Sequence, residues 1–252
     1  MDGRWDQFGT DYDHPPFTGK PRLYLIASTP RSGSHFLGHS LLETGALGSP
    51  LEYFHPQHLR KWQAMLGTKD FLSTMSRLVS RRTSPSGWFG VKAHWQQFAP
   101  IAGNPALLRF LNIETYIEIV RRDRVAQAIS YVIAQQTQAW ISFHDTKAEP
   151  RYDFAAIRAA ADALDQSIAA WRGFFAEQGI TPLTVEYEDL TADPAAVVDR
   201  ILAHCGVSRI GAEPRWQPRR QASDINARWQ ERYLADLAQG AGGRDVEAVT
   251  EQ

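Results

Sequence analysis

The sequence predicts an α/β fold, a three-layer sandwich in which a central parallel sheet lies between flanking layers of helices. Four short segments rich in apolar and β-branched residues are typical of buried strands, at 22–28, 88–92, 115–120 and 182–186. Segments with apolar residues at helical spacing separate them. Because strands that alternate with helices form parallel sheets with crossover connections, this order favours an α/β domain.

The other elements follow from local signals along the chain. Residues 1–20 combine Gly, Pro, Asp and aromatic residues without a period, so we expect an irregular N-terminal arm. We also expect a loop at 140–152, a disordered tail at 240–252 and a single domain over 1–252. Helices are predicted at 35–45, 59–66, 70–79, 95–102, 123–137, 154–178, 194–205 and 223–238.

Composition and charge restrict the function classes. The chain has 252 residues, of which 43% are hydrophobic and 22% charged, and its net charge is −1. This is an ordinary globular composition, and no global field attracts nucleic acid or a membrane, so an anionic ligand must meet locally clustered Arg and Lys. The one cysteine, Cys205, excludes an internal disulfide framework. Without an apolar stretch of membrane-spanning length or a signal-peptide pattern, cytoplasmic residence is expected.

The turn between the first strand and the first helix predicts a phosphate-binding site. It reads Pro-Arg-Ser-Gly-Ser-His at 30–35. Gly33 allows close backbone approach to an anion, and the N–H groups and dipole of the following helix favour negative charge. Arg31 adds a planar guanidinium, and Ser32 and Ser34 add hydroxyl donors. The turn lacks the Gly-Lys-Ser/Thr ending of nucleoside triphosphatases. An ordinary strand–turn–helix junction with capping serines is the alternative.

Cationic side chains recur where the predicted strands end. Arg31 follows the first strand, Lys92 ends the second and precedes His94, and Arg121 and Arg122 follow the third. Ligands of open α/β sheets bind where the carboxyl ends of the strands open. The pattern therefore predicts a polyanionic ligand at this edge, although scattered surface charge explains any single Arg equally well.

Five motifs in order resemble a known family. They are Ala-Ser-Thr-Pro-Arg-Ser-Gly-Ser at 27–34, Gly-Ser-Pro-Leu-Glu-Tyr-Phe at 48–54, Gly-Val-Lys-Ala-His-Trp at 90–95, the segment 121–130, and 220–224 with Trp229, Arg232 and Tyr233. Together, over roughly 22–238, they resemble the sulfotransferases that use 3′-phosphoadenosine 5′-phosphosulfate (PAPS), within them the bacterial trehalose 2-sulfotransferase-like family. The resemblance implies a P-loop-like sandwich and sulfuryl transfer to a hydroxyl of a carbohydrate or glycolipid acceptor. It also implies a possible homodimer. No metal is expected, because no metal-ligand spacing of Cys, His or carboxylates appears, and the net charge predicts no nucleic-acid partner.

The resemblance assigns the donor-binding residues. The 5′-phosphosulfate would lie against Arg31, Ser32, Gly33, Ser34 and His35. The 3′-phosphate would lie against Ser130 with Arg121 or Arg122, and Arg220 would add a further contact. The residues alone leave other roles open, because Arg122 could pair with Asp123 or Glu118, and Ser130 could simply belong to a helix.

Three residues are predicted to be catalytic. The resemblance makes Glu52 the general base that takes the acceptor proton, a role that typically contributes about 10²–10⁴-fold. His94 is the rival base, because Lys92 and His94 resemble the Lys-x-His segment of animal cytosolic sulfotransferases and imidazole titrates near neutrality. Lys92, with Arg31, would stabilise negative charge on the leaving oxygen. In-line transfer needs no covalent enzyme intermediate.

The acceptor is predicted to meet the segment around Glu52. The residues assigned to it are Pro30, Ser49, Pro50, Leu51, Tyr53, Phe54 and His55. Pro30 stands where the trehalose-type pattern has a sugar-contacting Gln, and Ser49 replaces an acidic residue, so the resemblance does not fix trehalose as the acceptor. His35 replaces a Thr in the donor loop. The alternative functions are a P-loop-like small-molecule kinase and a catalytically silent nucleotide-binding homologue.

Overall fold

The structure is a computed structural model that describes residues 6–140, 149–210 and 224–247. Its strands are β1 (Arg22–Ser28), β2 (Trp88–His94), β3 (Ile113–Val120) and β4 (Leu183–Glu186). Its helices are α1 (Ser34–Glu43), α2 (Pro56–Leu66), α3 (Phe71–Arg82), α4 (Trp95–Ala102), α5 (Pro105–Leu111), α6 (Arg124–Thr137), α7 (Phe154–Gln178), α8 (Tyr187–Ala192), α9 (Pro194–His204) and α10 (Asp224–Glu247). A short 3₁₀ helix, Thr10–Tyr12, lies in the N-terminal arm.

The four strands form one parallel sheet in the order β2-β1-β3-β4. In register, Ser28 at the end of β1 pairs with His94 at the end of β2, and Val120 pairs with Glu186 at the ends of β3 and β4. Parallel strands bring their carboxyl ends to a common edge, so the residues that follow these strands lie along one side of the sheet.

Side chains of β1 alternate between two hydrophobic cores, one on each face of the sheet. Leu23, Leu25 and Ala27 belong to the core that α2, α3, α4, α5 and the later part of α7 cover. Tyr24 and Ile26 belong to the core that α1, α8 and α9 cover. Buried apolar residues on both faces are what a parallel sheet with crossover helices requires. The predicted α/β three-layer sandwich is confirmed.

The described residues divide into two compact units, with boundaries after Arg122 and within α7 after Leu164. The first unit contains the sheet. The second contains α6, the beginning of α7 and α10, and has its own small core around Ile129, Ile157 and Trp229. In the second unit Asp123 caps α6 by accepting from the backbone N–H of Ala126 at 2.8 Å. None of the helices in the described ranges has the length and apolar character that crossing a bilayer requires.

Some elements differ from those predicted. Helices α5 and α8 were not predicted, because each has fewer than two full turns and shows no amphipathic period. Strand β2 continues to His94 rather than ending at Lys92, since pairing with β1 extends it. Helix α10 continues to Glu247, past the predicted end at 238, through a glycine-containing stretch in which isolated propensity disfavours a helix.

Candidate active site

Two residues of the 30–35 loop have a left-handed backbone conformation, and only one of them is a glycine. Gly33, which precedes α1, has a φ of 88°, and Arg31 has a φ of 61°. A left-handed conformation is routine for glycine and uncommon for arginine. A Cβ at Gly33 would also lie 2.4 Å from Cδ2 of Tyr187, at the start of α8. Glycine is therefore required here both by the backbone and by the close approach of an aromatic ring.

The 30–35 loop fits an anion. Ser32 is fully buried, and its Oγ has no hydrogen-bond partner within the described residues. The N-cap residue of α1, Gly33, makes no side-chain capping hydrogen bond, and the N-terminal end of a helix favours a bound anion. Burial, and then the neighbouring Arg121, lowers the pKa of Arg31 to about 10, so its guanidinium stays charged at neutral pH. A buried hydroxyl without a partner, in a loop that carries Arg31 and accepts a hydrogen bond from Arg121, matches a phosphate or sulfate.

Arg121 and Arg122 point to different surroundings. Nη1 of Arg121 donates to the carbonyl of Arg31 at 3.4 Å, and its guanidinium lies 4.8 Å from the ring centroid of Tyr187. The buried Nε of Arg121 has no partner in the described part of the chain. The side chain of Arg122 is 58% exposed and meets carboxylates instead, Glu186 at 2.5 Å and Asp189 at 3.4 Å. The structure therefore brings Arg121, not Arg122, to the 30–35 loop.

The 49–55 segment is tied to the edge strand β2, and this places Glu52. The backbone N–H of Lys92 donates to the carbonyl of Leu51 at 2.9 Å, and Leu51 forms a parallel bridge with Val91. The Tyr53 hydroxyl donates to the carbonyl of Ser49 at 2.8 Å, which closes the segment on itself. Glu52 consequently extends beside the end of β2, where the cationic residues lie.

Glu52 is held at both carboxylate oxygens. Nζ of Lys92 lies 2.5 Å from Oε1, and Nε2 of Gln97 donates to Oε2 at 2.9 Å. Burial alone would raise the pKa of Glu52, but the charge of Lys92, the proximity of His94 and the hydrogen bonds from Lys92 and Gln97 outweigh it and hold this pKa well below its ordinary value. Glu52 is therefore ionised at neutral pH and able to accept a proton, although the low pKa makes it a weak base.

His94, the rival base, lies beside the same pair. Its Nδ1 is 2.9 Å from Oγ of Ser28, a hydroxyl that is also within hydrogen-bond distance of the carbonyl of Ala93, at 3.0 Å. A neutral imidazole keeps one unprotonated ring nitrogen in either tautomer. Burial lowers the pKa of His94 to about 4, so the ring is neutral at pH 7. The structure thus presents two unprotonated groups, Glu52 and His94, at one place.

Further imidazoles line this region. Nε2 of His35 and Nε2 of His39, one turn apart on α1, are 3.2 Å apart. Burial and then the charge of Lys92 lower the pKa of His35 to about 2 and that of His39 to about 3. On α2, Nδ1 of His58 lies 3.2 Å from the carbonyl of Glu52. Since His35 and His39 are neutral at physiological pH, Lys92 and the arginines supply the positive charge.

The other residues predicted to contact the acceptor lie in different environments. Pro50, Leu51, Tyr53 and Phe54 are buried, with Tyr53 stacked on Phe89 at 5.4 Å between centroids. They fix the 49–55 segment to the core. Ser49 is also buried, and its Oγ donates to the carbonyl of Tyr12 at 2.8 Å. Pro30 and His55 are partly exposed, and Nδ1 of His55 has no partner within the described ranges.

Two residues predicted to bind the PAPS donor, Ser130 and Arg220, are not part of the geometry given above. Ser130 is on α6 in the second unit and is buried, and its role with the 3′-phosphate stays a prediction. Arg220 lies outside the described residues. Conversely, Gln97 and Tyr187 were missed. Gln97 had a local signal, since it stands three residues after His94, the spacing of a capping box. The position of Tyr187 near the 30–35 loop could not be predicted, because it depends on the pairing of β4 with β3.

A parallel sheet with an anion-binding loop and a Lys–Glu pair at its carboxyl edge is an arrangement suited to transfer of a charged group from a phosphorylated donor. Comparison with known families agrees. Residues 23–236 match the family model described as Stf0 sulphotransferase. The chain belongs to this sulfotransferase family and is a transferase enzyme, and neither the kinase nor the silent homologue is favoured.

Individual relatives are similar over nearly the whole chain. The trehalose 2-sulfotransferase of Mycobacterium tuberculosis (strain ATCC 35801 / TMC 107 / Erdman) is 31% identical over 260 residues, covering 85% of this chain and 95% of that protein. The trehalose 2-sulfotransferase of Mycolicibacterium smegmatis (strain ATCC 700084 / mc(2)155) is 28% identical over 261 residues, covering 86% and 96%. A solved sulfotransferase structure from Alicyclobacillus acidocaldarius has a TM-score of 0.46 at 14% identity, covering 88% and 94%.

Proposed function

We propose that this enzyme moves a sulfuryl group from PAPS to a hydroxyl of a carbohydrate acceptor, with Glu52 as general base and Lys92 at the leaving oxygen. The observation that carries the proposal is the Lys92–Glu52 pair, 2.5 Å apart at the carboxyl edge of the sheet. The names of the relatives support a sugar acceptor. A glycolipid acceptor presents the same chemistry and remains within the proposal.

The 30–35 loop is assigned to the phosphosulfate end of the donor. Its residues supply the N-terminal N–H groups of α1, the Ser32 hydroxyl without a partner and the Arg31 guanidinium. We assign Arg121 to the donor ahead of Arg122, because Arg122 is already balanced by carboxylates of β4 and α8. Ser130 and Arg220 are retained as candidates for the 3′-phosphate side.

The proposed reaction is a single in-line displacement. The acceptor oxygen forms a bond to sulfur while the bond from sulfur to the phosphate oxygen breaks, which leaves adenosine 3′,5′-bisphosphate. The acceptor proton goes to the Glu52 carboxylate, and Lys92 and Arg31 offset the negative charge that develops on the leaving phosphate. Because Lys92 and Glu52 are paired, protonation of Glu52 weakens its hold on the ammonium group as the leaving oxygen becomes more negative.

The acceptor site is assigned to the region between Glu52, His55 and Pro30. Ser49 is removed from direct contact in this account, since its hydroxyl is used by the N-terminal arm. Pro30 offers no side-chain donor, unlike the Gln expected in the trehalose-type pattern. We therefore propose a sugar as the acceptor class without fixing it as trehalose. The homodimer, which the family resemblance implies, and the expected cytoplasmic residence also stay predictions, and light scattering tests the dimer.

Replacement of Glu52 tests the proposal. Glu52→Gln removes the proton acceptor and keeps the shape, so turnover should fall by on the order of 10²–10⁴-fold. Binding of adenosine 3′,5′-bisphosphate, measured by calorimetry without Mg²⁺, should be retained. Glu177→Gln, on the exposed face of α7, is the matched control and should behave as wild type. Unchanged turnover in Glu52→Gln would move the base to His94 or elsewhere.

A further inference from the structure

The side-chain amide of Gln97 joins the Glu52 carboxylate to the backbone of His94. Gln97 lies in the first turn of α4 and is only 8% exposed. Its Nε2 donates to Oε2 of Glu52 at 2.9 Å, and its Oε1 accepts from the backbone N–H of His94 at 2.9 Å. A carboxylate can only accept and an N–H can only donate, so the orientation of the amide is fixed by its two partners.

The hydrogen bond from Gln97 restricts a rotation of the Glu52 carboxylate that the ion pair with Lys92 does not restrict. The terminal torsion of a glutamate is broad, and the lysine stem is flexible, so an ion pair at one oxygen does not fix the plane of the carboxylate. Gln97 holds the second oxygen from a different direction. Because its Oε1 is anchored on the backbone of His94, it ties the carboxylate to the junction of β2 and α4, from which Lys92 and His94 also project.

We propose that Gln97 is a positioning residue for sulfuryl transfer, which holds the Glu52 carboxylate in one orientation through a buried hydrogen bond. The inference rests on the proposed role of Glu52 as base. Positioning matters because a displacement of about 1 Å at a reacting group can cost about 100-fold in rate. Gln97 touches no reacting atom in this account and acts through Glu52.

Several charged or titratable groups face Glu52, and they determine how far its pKa should change when Gln97 is replaced. Lys92 and His94 approach from β2, His58 from α2 and His35 from α1. Lys92 remains after Gln97 is replaced, so the carboxylate keeps its main partner. The pKa of Glu52 should therefore rise without returning fully to the value that burial alone would give.

Two variants separate positioning from a purely structural role in the helix. Gln97→Met keeps the length and removes both hydrogen bonds. Gln97→Glu keeps an acceptor for the backbone N–H of His94, but it loses the donor to Glu52 and places a second carboxylate beside it. Gln96→Met is the matched control, because Gln96 is the adjacent residue of the same turn and bonds Ser167 at 2.7 Å.

The kinetic measurement is the pH profile of kcat with PAPS and a sugar acceptor that the wild type sulfates. Both Gln97 variants should lose about 10- to 100-fold in kcat. Their acidic limb should move to higher pH, further in Gln97→Glu, while the binding of adenosine 3′,5′-bisphosphate and the Gln96→Met profile stay as in wild type. A kcat within about twofold of wild type, or an acidic limb that does not move, would overturn the inference.

A spectroscopic measurement keeps the inference testable apart from turnover. The carboxyl carbon of Glu52 is followed by NMR against pH in protein labelled at its glutamate carboxyls, with Glu52→Gln supplying the assignment. Its titration should move to higher pH in both Gln97 variants. If the wild type transfers sulfate to no acceptor, the proposed function fails, whereas an unmoved Glu52 titration refutes the role of Gln97 alone.

Discussion

Lys92 and Glu52 form an ion pair that is largely shielded from solvent. The side chain of Lys92 is 6% exposed and that of Glu52 is 22% exposed. Lys92→Met leaves the carboxylate without its cation, and breaking a buried pair costs about 3–5 kcal/mol in general. With Glu52 in partial contact with solvent, we expect a loss nearer about 2–3 kcal/mol in the free energy of unfolding near neutral pH. Urea denaturation measures it, with exposed Lys69→Met as control.

The pH dependence of that loss has a definite sign. The pKa of Glu52 is lower in the folded protein than in the unfolded chain, so the pair contributes stability above the ordinary carboxyl pKa and loses it as the pH falls through the lowered value. In Lys92→Met the carboxyl becomes protonated at higher pH, which relieves the unpaired charge. The difference between wild type and variant should therefore shrink towards acid. A difference that grew towards acid would contradict the assignment of Lys92 as the partner.

Gly33 gives the second prediction for a single residue. Gly33→Ala places a methyl group where φ is 88° and where Tyr187 lies 2.4 Å from the added carbon. Local strain of this kind costs about 1–3 kcal/mol, and the loop must shift to relieve it. We expect the affinity for adenosine 3′,5′-bisphosphate in calorimetry to fall by at least about tenfold, which corresponds to about 1.4 kcal/mol.

Gly173 provides the matched glycine control. A Cβ at this helical position in α7 meets nothing within 4 Å. Gly173→Ala should leave nucleotide affinity unchanged and stabilise the protein by about 0.5–1 kcal/mol through helix propensity. Wild-type nucleotide affinity in Gly33→Ala would show that the 30–35 loop does not hold the donor.

Among the elements, the N-terminal arm acquires a role that its irregular sequence does not suggest. Arg82 of α3 is 1% exposed, and its guanidinium donates to the carboxylate of Asp13 at 2.5 Å and to the carbonyl of Gly9 at 2.8 Å. The arm also accepts the hydroxyl of Ser49, and Gln7 reaches His58 at 3.1 Å. The arm thus braces the 49–55 segment that carries Glu52.

Asp13→Asn tests this brace. Removal of the charge leaves the buried guanidinium of Arg82 without its counter-ion, and we expect a loss of about 3 kcal/mol in the free energy of unfolding. The KM for the acceptor should rise, while nucleotide binding should stay unchanged, because Arg82, Ser49 and His58, which the arm contacts, lie outside the 30–35 loop. Asp11→Asn, at an exposed position two residues before Asp13, is the control. Equal stability of the two variants in urea denaturation would refute the brace.

The elements that could be predicted are those whose signal is local. Strand β1, helix α4 at 95–102 and helix α7 at 154–178 were predicted with the observed bounds or within a residue, because their apolar pattern and flanking turns are strong. Helix α5 could not be found in this way. It is seven residues long and depends on the Asn104 cap, which accepts from the backbone N–H groups of Ala106 and Leu107.

At the scale of the whole molecule, some residues of the candidate site could be predicted from the order of strands and helices, and others depend on tertiary packing. Parallel topology brings Arg31, Lys92 and Arg121 to one edge of the sheet, as the strand ends predicted. The choice between Arg121 and Arg122 could not be made from sequence, because it depends on the carboxylates of β4 and α8. Gln97 escaped notice for a similar reason, since its partner Glu52 comes from a distant segment.

The central claim is that this edge of the sheet transfers a sulfuryl group to a sugar hydroxyl. The most direct measurement incubates the wild-type protein with sulfur-labelled PAPS and a panel of sugars that includes trehalose, in the presence of a chelator, and follows both products by mass spectrometry. The account predicts a sulfated sugar and adenosine 3′,5′-bisphosphate in equal amounts. Consumption of the donor with no labelled sugar anywhere in the panel, or transfer only when a divalent metal is added, would contradict it.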